Sequence, residues 1–223
     1  FGIAKAVYIG NGATLRYTGT SATIASATTA NSHTFNLTGG MGVIDVTTSS
    51  AILTIAGVVS GAGGLRKTGA GSLQLNATGT FTGPVVVAAG KLISGLGGST
   101  DGNAERITNA SPVTVLTGAT FEIAGSERVG SLSGAGTVTV SGTSARTLGV
   151  GEDNSNTIFT GLLSSTLGNS LSKRGSGVWT VAMPSVSTWV GGSINLDAGV
   201  IRVGDGMGQQ FNPTATLIIN NSG

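Results

Sequence analysis

The chain has 223 residues, with 11 Lys and Arg against 9 Asp and Glu, and charged residues make up only 9% of it. The absence of cysteine excludes disulfides and thiolate metal sites. A mean hydropathy of +0.31 excludes a polar disordered chain, and the 39 glycines lack the every-third-residue spacing of collagen.

Basic residues never run beyond two in succession, at Arg66-Lys67 and Lys173-Arg174, and aromatics are scarce, so no nucleic-acid partner is expected. The longest apolar runs, such as residues 85–89, are far too short for membrane insertion. The chain opens at Phe1 without a charged-then-apolar leader, as expected of a fragment of something longer.

In chain order, residues 10–19 alternate polar and apolar positions between glycines and predict a strand. Residues 20–30 are a Thr, Ser and Ala run with an isolated Ile24. Strands are predicted at 34–38, 41–46, 51–55, 73–75 and 85–88, and the glycine and β-branched density argues against helices. Residues 94–112 are the most polar stretch and hold Asp101, Glu105 and Arg106, which predicts a protruding loop with a short helical turn at 103–107. Strands resume at 113–115, 120–124 and 137–140.

Internal repetition organises the rest. Residues 118–125 match 12–19, 171–177 match 65–71, and 159–164 match 55–60, all at an offset of roughly 106 residues. Residues 197–201 match 88–92. The chain therefore reads as one continuous segment, 1–223, with repeats at about 12–117 and 118–214 and the start of a third copy at 215–223. Such a period fits a superrepeat of several solenoid passes, each of about 20–25 residues. The fold class is all-β, a parallel β-helix (β-solenoid), with inward Val, Leu, Ile and Ala rows and outward Thr, Ser and Asn ladders. The alternative is a pair of tandem β-sandwich domains.

Residues 63–75 read Gly-Gly-Leu-Arg-Lys-Thr-Gly-Ala-Gly-Ser-Leu-Gln-Leu, followed by Thr80-Phe-Thr-Gly83 and Ala89-Gly-Lys-Leu92. This pattern resembles the autotransporter-associated β-strand repeat. Its structural positions here are Leu65, Lys67, Gly69, Gly71, Leu73, Leu75, Gly83 and Gly90. In the second copy they are Leu171, Lys173, Gly175, Gly177, Gly191 and Gly199. That copy departs in carrying Val178-Trp-Thr-Val181 for Leu-x-Leu and Trp189-Val-Gly191 for the aromatic-Thr-Gly step. The resemblance implies a right-handed helix on the surface of a bacterium, in a long repeat protein that is often an adhesin. It carries no catalytic residues.

The residues themselves offer little chemistry. Lys67 and Lys173 recur before Gly-x-Gly; the reading adopted is that their stems cover a coil edge while the ammonium reaches solvent. The rival is a ligand-binding basic row. His33 is the single histidine and is expected on a turn rather than in a triad or zinc site. Glu152-Asp153 and Asp205 are the candidate calcium ligands, and solvated turns are the favoured reading. Trp179 and Trp189 would stack sugars if exposed side by side, but their places in the repeat align with core positions.

The reading is a non-enzymatic structural or adhesive segment without cofactors, located extracellularly or on the cell surface. Its partners are neighbouring coils or identical chains, in fibres or filaments, together with host or community cell surfaces or glycans. The alternative is a carbohydrate-active or carbohydrate-binding β-helix.

Overall fold

In the computed structural model the residues described are 6–24, 33–96, 105–142, 144–165, 168–184, 188–189, 192–203 and 216–219. They contain strands and turns and no helix. Short β-branched and leucine segments form the strands, and glycines mark many of the turns between them.

A nine-stranded sheet draws its strands from Thr14–Tyr17 through Gly64–Thr68 to Val200–Val203, and an eight-stranded sheet runs from Ala22–Ile24 to Thr188–Trp189. A three-stranded sheet holds Ala6–Ile9, Thr34–Leu37 and Val59–Ser60. A five-stranded sheet holds Glu127–Val129, Thr147–Val150, Ser170–Lys173, Ser193–Leu196 and Thr216–Ile219. The chain visits the sheets in rotation, and each strand lies beside the strand reached one circuit later.

The pairings among these strands are parallel in all four sheets. Two consecutive antiparallel sandwiches are thereby excluded, since their strands would pair through hairpins. The arrangement is consistent with a β-helix. Each circuit advances the chain by about 20–30 residues, as in Lys67 to Val87 and Leu15 to Ile44.

Register puts like on like. Leu53, Leu73, Leu92, Phe121, Val138 and Leu163 form one stacked row in the eight-stranded sheet, and all are buried. The alternate positions face outward, because side chains in a strand change face at every residue. There Thr114 meets Ser133 at 3.0 Å, Thr139 meets Ser164 at 2.9 Å, and Ser170 meets Ser193 at 3.0 Å.

Between the three- and five-stranded sheets the stack continues through backbone without strand structure, at residues 76–84 and 105–112. Thr80 N–H donates to Val59 O, Gly79 N–H to Glu105 O, and Gly130 N–H to Ser111 O. Phe81 and Ile107 supply the buried apolar groups there. Arg106 and Ser111 are buried as well, so residues 105–112 are docked rather than protruding, and no helical turn forms at 105–107. Residues 97–104, including Asp101, lie outside the described residues.

Candidate functional site

Two corners, a line of charges and one buried carboxylate hold most of the polar chemistry. At the first corner Lys67 occupies an inward row position, in register with Ile44 and Val87, and is fully buried. Its Nζ donates to Thr68 O at 2.6 Å, Gly69 O at 3.0 Å and Ala89 O at 3.2 Å. Lys173 repeats this in register with Val150 and Leu196, donating to Arg174 O and, at 2.9 Å, to Gly175 O. The expectation that these ammonium groups reach solvent is therefore corrected. Turn carbonyls that would be left unpaired by the tight corner recruit the cation inward. Burial pulls Lys67 down to about 8 while the Asp45 carboxylate pulls it back up, and burial lowers Lys173 against the pull of Asp153.

The glycines make that corner possible. Gly69 and Gly71 both lie in the turn between Gly64–Thr68 and Ser72–Leu75, and Gly69 has φ +76°. A methyl group on Gly90 would lie 2.4 Å from the carbonyl oxygens of Gly69 and Gly71 in the circuit beneath it. One on Gly199 would lie 2.4 Å and 2.5 Å from those of Gly175 and Gly177. Gly83 packs against the backbone of Gly63 and Gly64 in the same manner. Leu65, Leu73, Leu75 and Leu171 are core residues, and Gly191 lies outside the described residues. The two matching segments sit in different sheets, since Gly64–Thr68 belongs to the nine-stranded sheet and Ser170–Lys173 to the five-stranded one. The shared motif therefore builds a corner wherever it falls.

Along the outside of the five-stranded sheet runs a ladder of alternating charge that residue-by-residue inspection of the sequence missed. Arg128 contacts Glu105 at 2.5 Å and Glu152 at 3.7 Å. Arg174 contacts Glu152 at 3.4 Å and Asp197 at 3.8 Å, and Ser172 Oγ donates to Asp197 at 2.5 Å. A Cβ on Gly149 would come 2.8 Å from Arg128 Cγ, so the bare backbone there gives Arg128 its path across the sheet. Glu152 is engaged by two guanidinium groups and Asp153 accepts from Ser155 N–H and Oγ–H. A calcium ion at this turn would have to displace both arginines. Among the described residues no group of three His, Asp or Glu is placed to hold a metal; Asp205 lies outside them.

Glu127 opens the five-stranded sheet facing inward, in the row continued by Leu148, Leu171 and Ile194. It accepts from Ser94 Oγ–H, from Arg106 N–H at 3.1 Å and from Ile107 N–H at 3.3 Å. Burial pushes its carboxyl up to about 7, against the opposing pull of these donors and of the Arg106 charge. A cavity of about 160 Å³ beside it is lined by Glu105, Ser126, Arg128, Thr147 and Arg174.

Trp179 and Trp189 are both buried, with indole N–H groups donating to Leu132 O at 3.1 Å and Asn169 O at 3.0 Å. Neither offers a face to a sugar. His33 lies beside an otherwise largely apolar cavity of about 290 Å³ lined by Val7, Leu15, Ile24, Phe35 and Leu53. His33 is thus buried, just before the strand Thr34–Leu37, and the residues that precede it lie outside the described ones.

The "Adhesin BmaC autotransporter" of Brucella suis biovar 1 (strain 1330) is 33% identical over 198 residues, covering 86% of this chain. This chain is similar to a segment of an autotransporter adhesin. It spans only 5% of that protein's length. No family model matches. No solved structure matches.

Proposed function

We propose that the chain is a non-enzymatic, adhesive and structural segment of a long bacterial surface protein. In this reading the four sheets close into a right-handed parallel β-helix, one continuous rod over 1–223 built from two related units and the start of a third. The handedness follows the strong preference of parallel crossovers. The observation that carries the functional reading is the similarity to a segment of an autotransporter adhesin, in a chain whose described strands stack in repeating registered rows. A rod of stacked circuits suits display at a distance from the cell, and its outer ladders suit contact with host or community surfaces or glycans.

Self-assembly into fibres belongs to the same proposal. Strands that stack parallel and in register, with outward Thr and Ser ladders, are the kind of surface on which identical chains can associate side by side or end to end.

Beads coated with the purified chain test the adhesive reading. Retention on cultured host cells or on a bacterial lawn above that of albumin-coated beads is expected, and equal retention would sink it. Electron microscopy tests assembly: end-to-end rods are expected, and only short monodisperse particles would remove the filament. A second reading, carbohydrate binding, is favoured by the polar cavity between Arg128 and Arg174. Glycan-array binding that is lost in R128A and R174A would support it, and a blank array would end it.

A further inference from the structure

A carboxylate occupies an inward row position that leucine or isoleucine fills in the following circuits, and its partners come from two ends of one chain excursion. Among the described residues, the strand after Lys91–Ser94 is Val113–Val115. Ser94 Oγ–H on the outgoing stem and the Arg106 and Ile107 N–H groups on the returning stem all converge on Glu127. All three side chains of the knot, Ser94, Arg106 and Glu127, are buried. Other ties also hold the stems, among them Ala124 N–H to Ser94 O at 2.8 Å, Gly95 N–H to Leu75 O at 3.0 Å, Gln74 Nε2–H to Gly95 O at 2.8 Å, Gly79 N–H to Glu105 O at 3.0 Å, Thr108 Oγ1–H to Phe81 O at 2.8 Å and the Arg128–Glu105 ion pair. Among these only the knot at Glu127 joins the two stems through one titratable group.

We propose that Glu127 is a pH-responsive clamp that fastens both stems of this excursion to the five-stranded sheet. This inference rests on the geometry of the knot and is independent of the adhesive reading. The charged groups around the carboxylate are Arg106 within the knot and Glu105, Arg128 and Arg174 across the adjoining cavity. Glu105 is occupied by Arg128, and the Glu127 proton is governed first by burial, then by the Ser94 hydroxyl and the Arg106 and Ile107 amides, with the Arg106 charge the smallest influence.

The sign follows from linkage. With the stems docked, burial raises the carboxyl from its ordinary 4.5 to about 7, so the proton binds the docked state more tightly than an opened, hydrated one. Docking is therefore favoured most below the ordinary value, and that contribution is lost as pH rises to about 7. Converted through the two values, the equilibrium for undocking rises by up to about 300-fold across that window.

Amide hydrogen exchange reads the clamp at its own donors. Protection factors of the Arg106 and Ile107 amides, corrected for intrinsic exchange, are measured from pH 4.5 to 8.5 with the Val138 amide of the eight-stranded sheet as reference. In the wild type both are expected to fall by up to about 300-fold toward pH 8. They should end below Val138, and E127Q should show a flat profile. S94A, which removes one donor to the carboxylate, should move the midpoint to higher pH. A profile that is flat in the wild type, is unchanged in E127Q or tracks Val138 at every pH would overturn the proposal. Should E127Q not fold, an unmoved midpoint in S94A would do so.

Discussion

Gly69→Ala and Gly118→Ala separate two reasons for a corner glycine. Both positions have positive φ, +76° and +81°. A side chain in that region costs about 1–2 kcal/mol wherever it occurs. At Gly118 a new methyl group meets nothing within 4 Å, so G118A should lose that amount and no more. At Gly69 it would lie 2.3 Å from Val46 O and 2.4 Å from Asp45 Oδ1, in the circuit beneath. Backbone atoms cannot rotate away, so adjacent circuits must separate at that corner and loosen the Lys67 hydrogen bonds. A forced shift of this kind adds about 1–3 kcal/mol. Equilibrium urea unfolding, with both variants fitted at the wild-type slope, measures the difference. G69A no less stable than G118A would refute the idea that glycine is needed there for the close stacking of circuits.

Replacing the buried cation tests the other half of the corner. K67M leaves the carbonyls of Thr68, Gly69 and Ala89 without their shared donor and should cost about 1–3 kcal/mol in the same assay. Because the folded-state value of Lys67 lies below 10.5, at about 8, the folded chain binds fewer protons than the unfolded one between those values. Wild-type stability should therefore rise with pH from about 8 to 10.5, and K67M should lose part of that rise; an identical slope in both proteins would contradict the burial of the ammonium. The ladder should be energetically modest: R174A is expected to cost at most about 1 kcal/mol at low salt, as partly exposed pairs do, and less at high salt. A salt-independent loss of several kcal/mol, read from thermal unfolding, would mean that Arg174 is not a surface brace.

How much of this was legible in the residues depended on whether a residue's partner is local in the pattern. Alternation at 73–75, 120–124 and 137–140 marked strands directly, because the inward and outward faces change every residue and both sets are ordinary. The strand Gly64–Thr68 was hidden by its own chemistry. An inward lysine breaks the apolar alternation, and only the folded corner shows which carbonyls receive it. Glu127 was hidden for the same reason, its donors being the main-chain amides of residues 106 and 107 and a serine from another sheet. The ladder did leave a trace in the sequence: Glu105, Arg128, Glu152, Arg174 and Asp197 alternate in sign at nearly even steps. Reading it required knowing the length of one circuit, which the offset of roughly 106 residues conceals because it returns to a different sheet.

The parallel stack itself can be tested with pairs of cysteines, since the natural chain has none to interfere. Thr114 and Ser133, Thr139 and Ser164, and Ser170 and Ser193 are directly registered neighbours facing outward, one pair in each of three sheets. Parallel neighbours lie about 4.8 Å apart, within reach of a disulfide. T114C/S133C, T139C/S164C and S170C/S193C should each close a disulfide under mild oxidation of the folded protein, while T114C/T139C, which joins different sheets, should not. Failure of the three registered pairs, or ready closure of the mismatched one, would contradict the parallel stack on which the corners, the ladder and the clamp all depend.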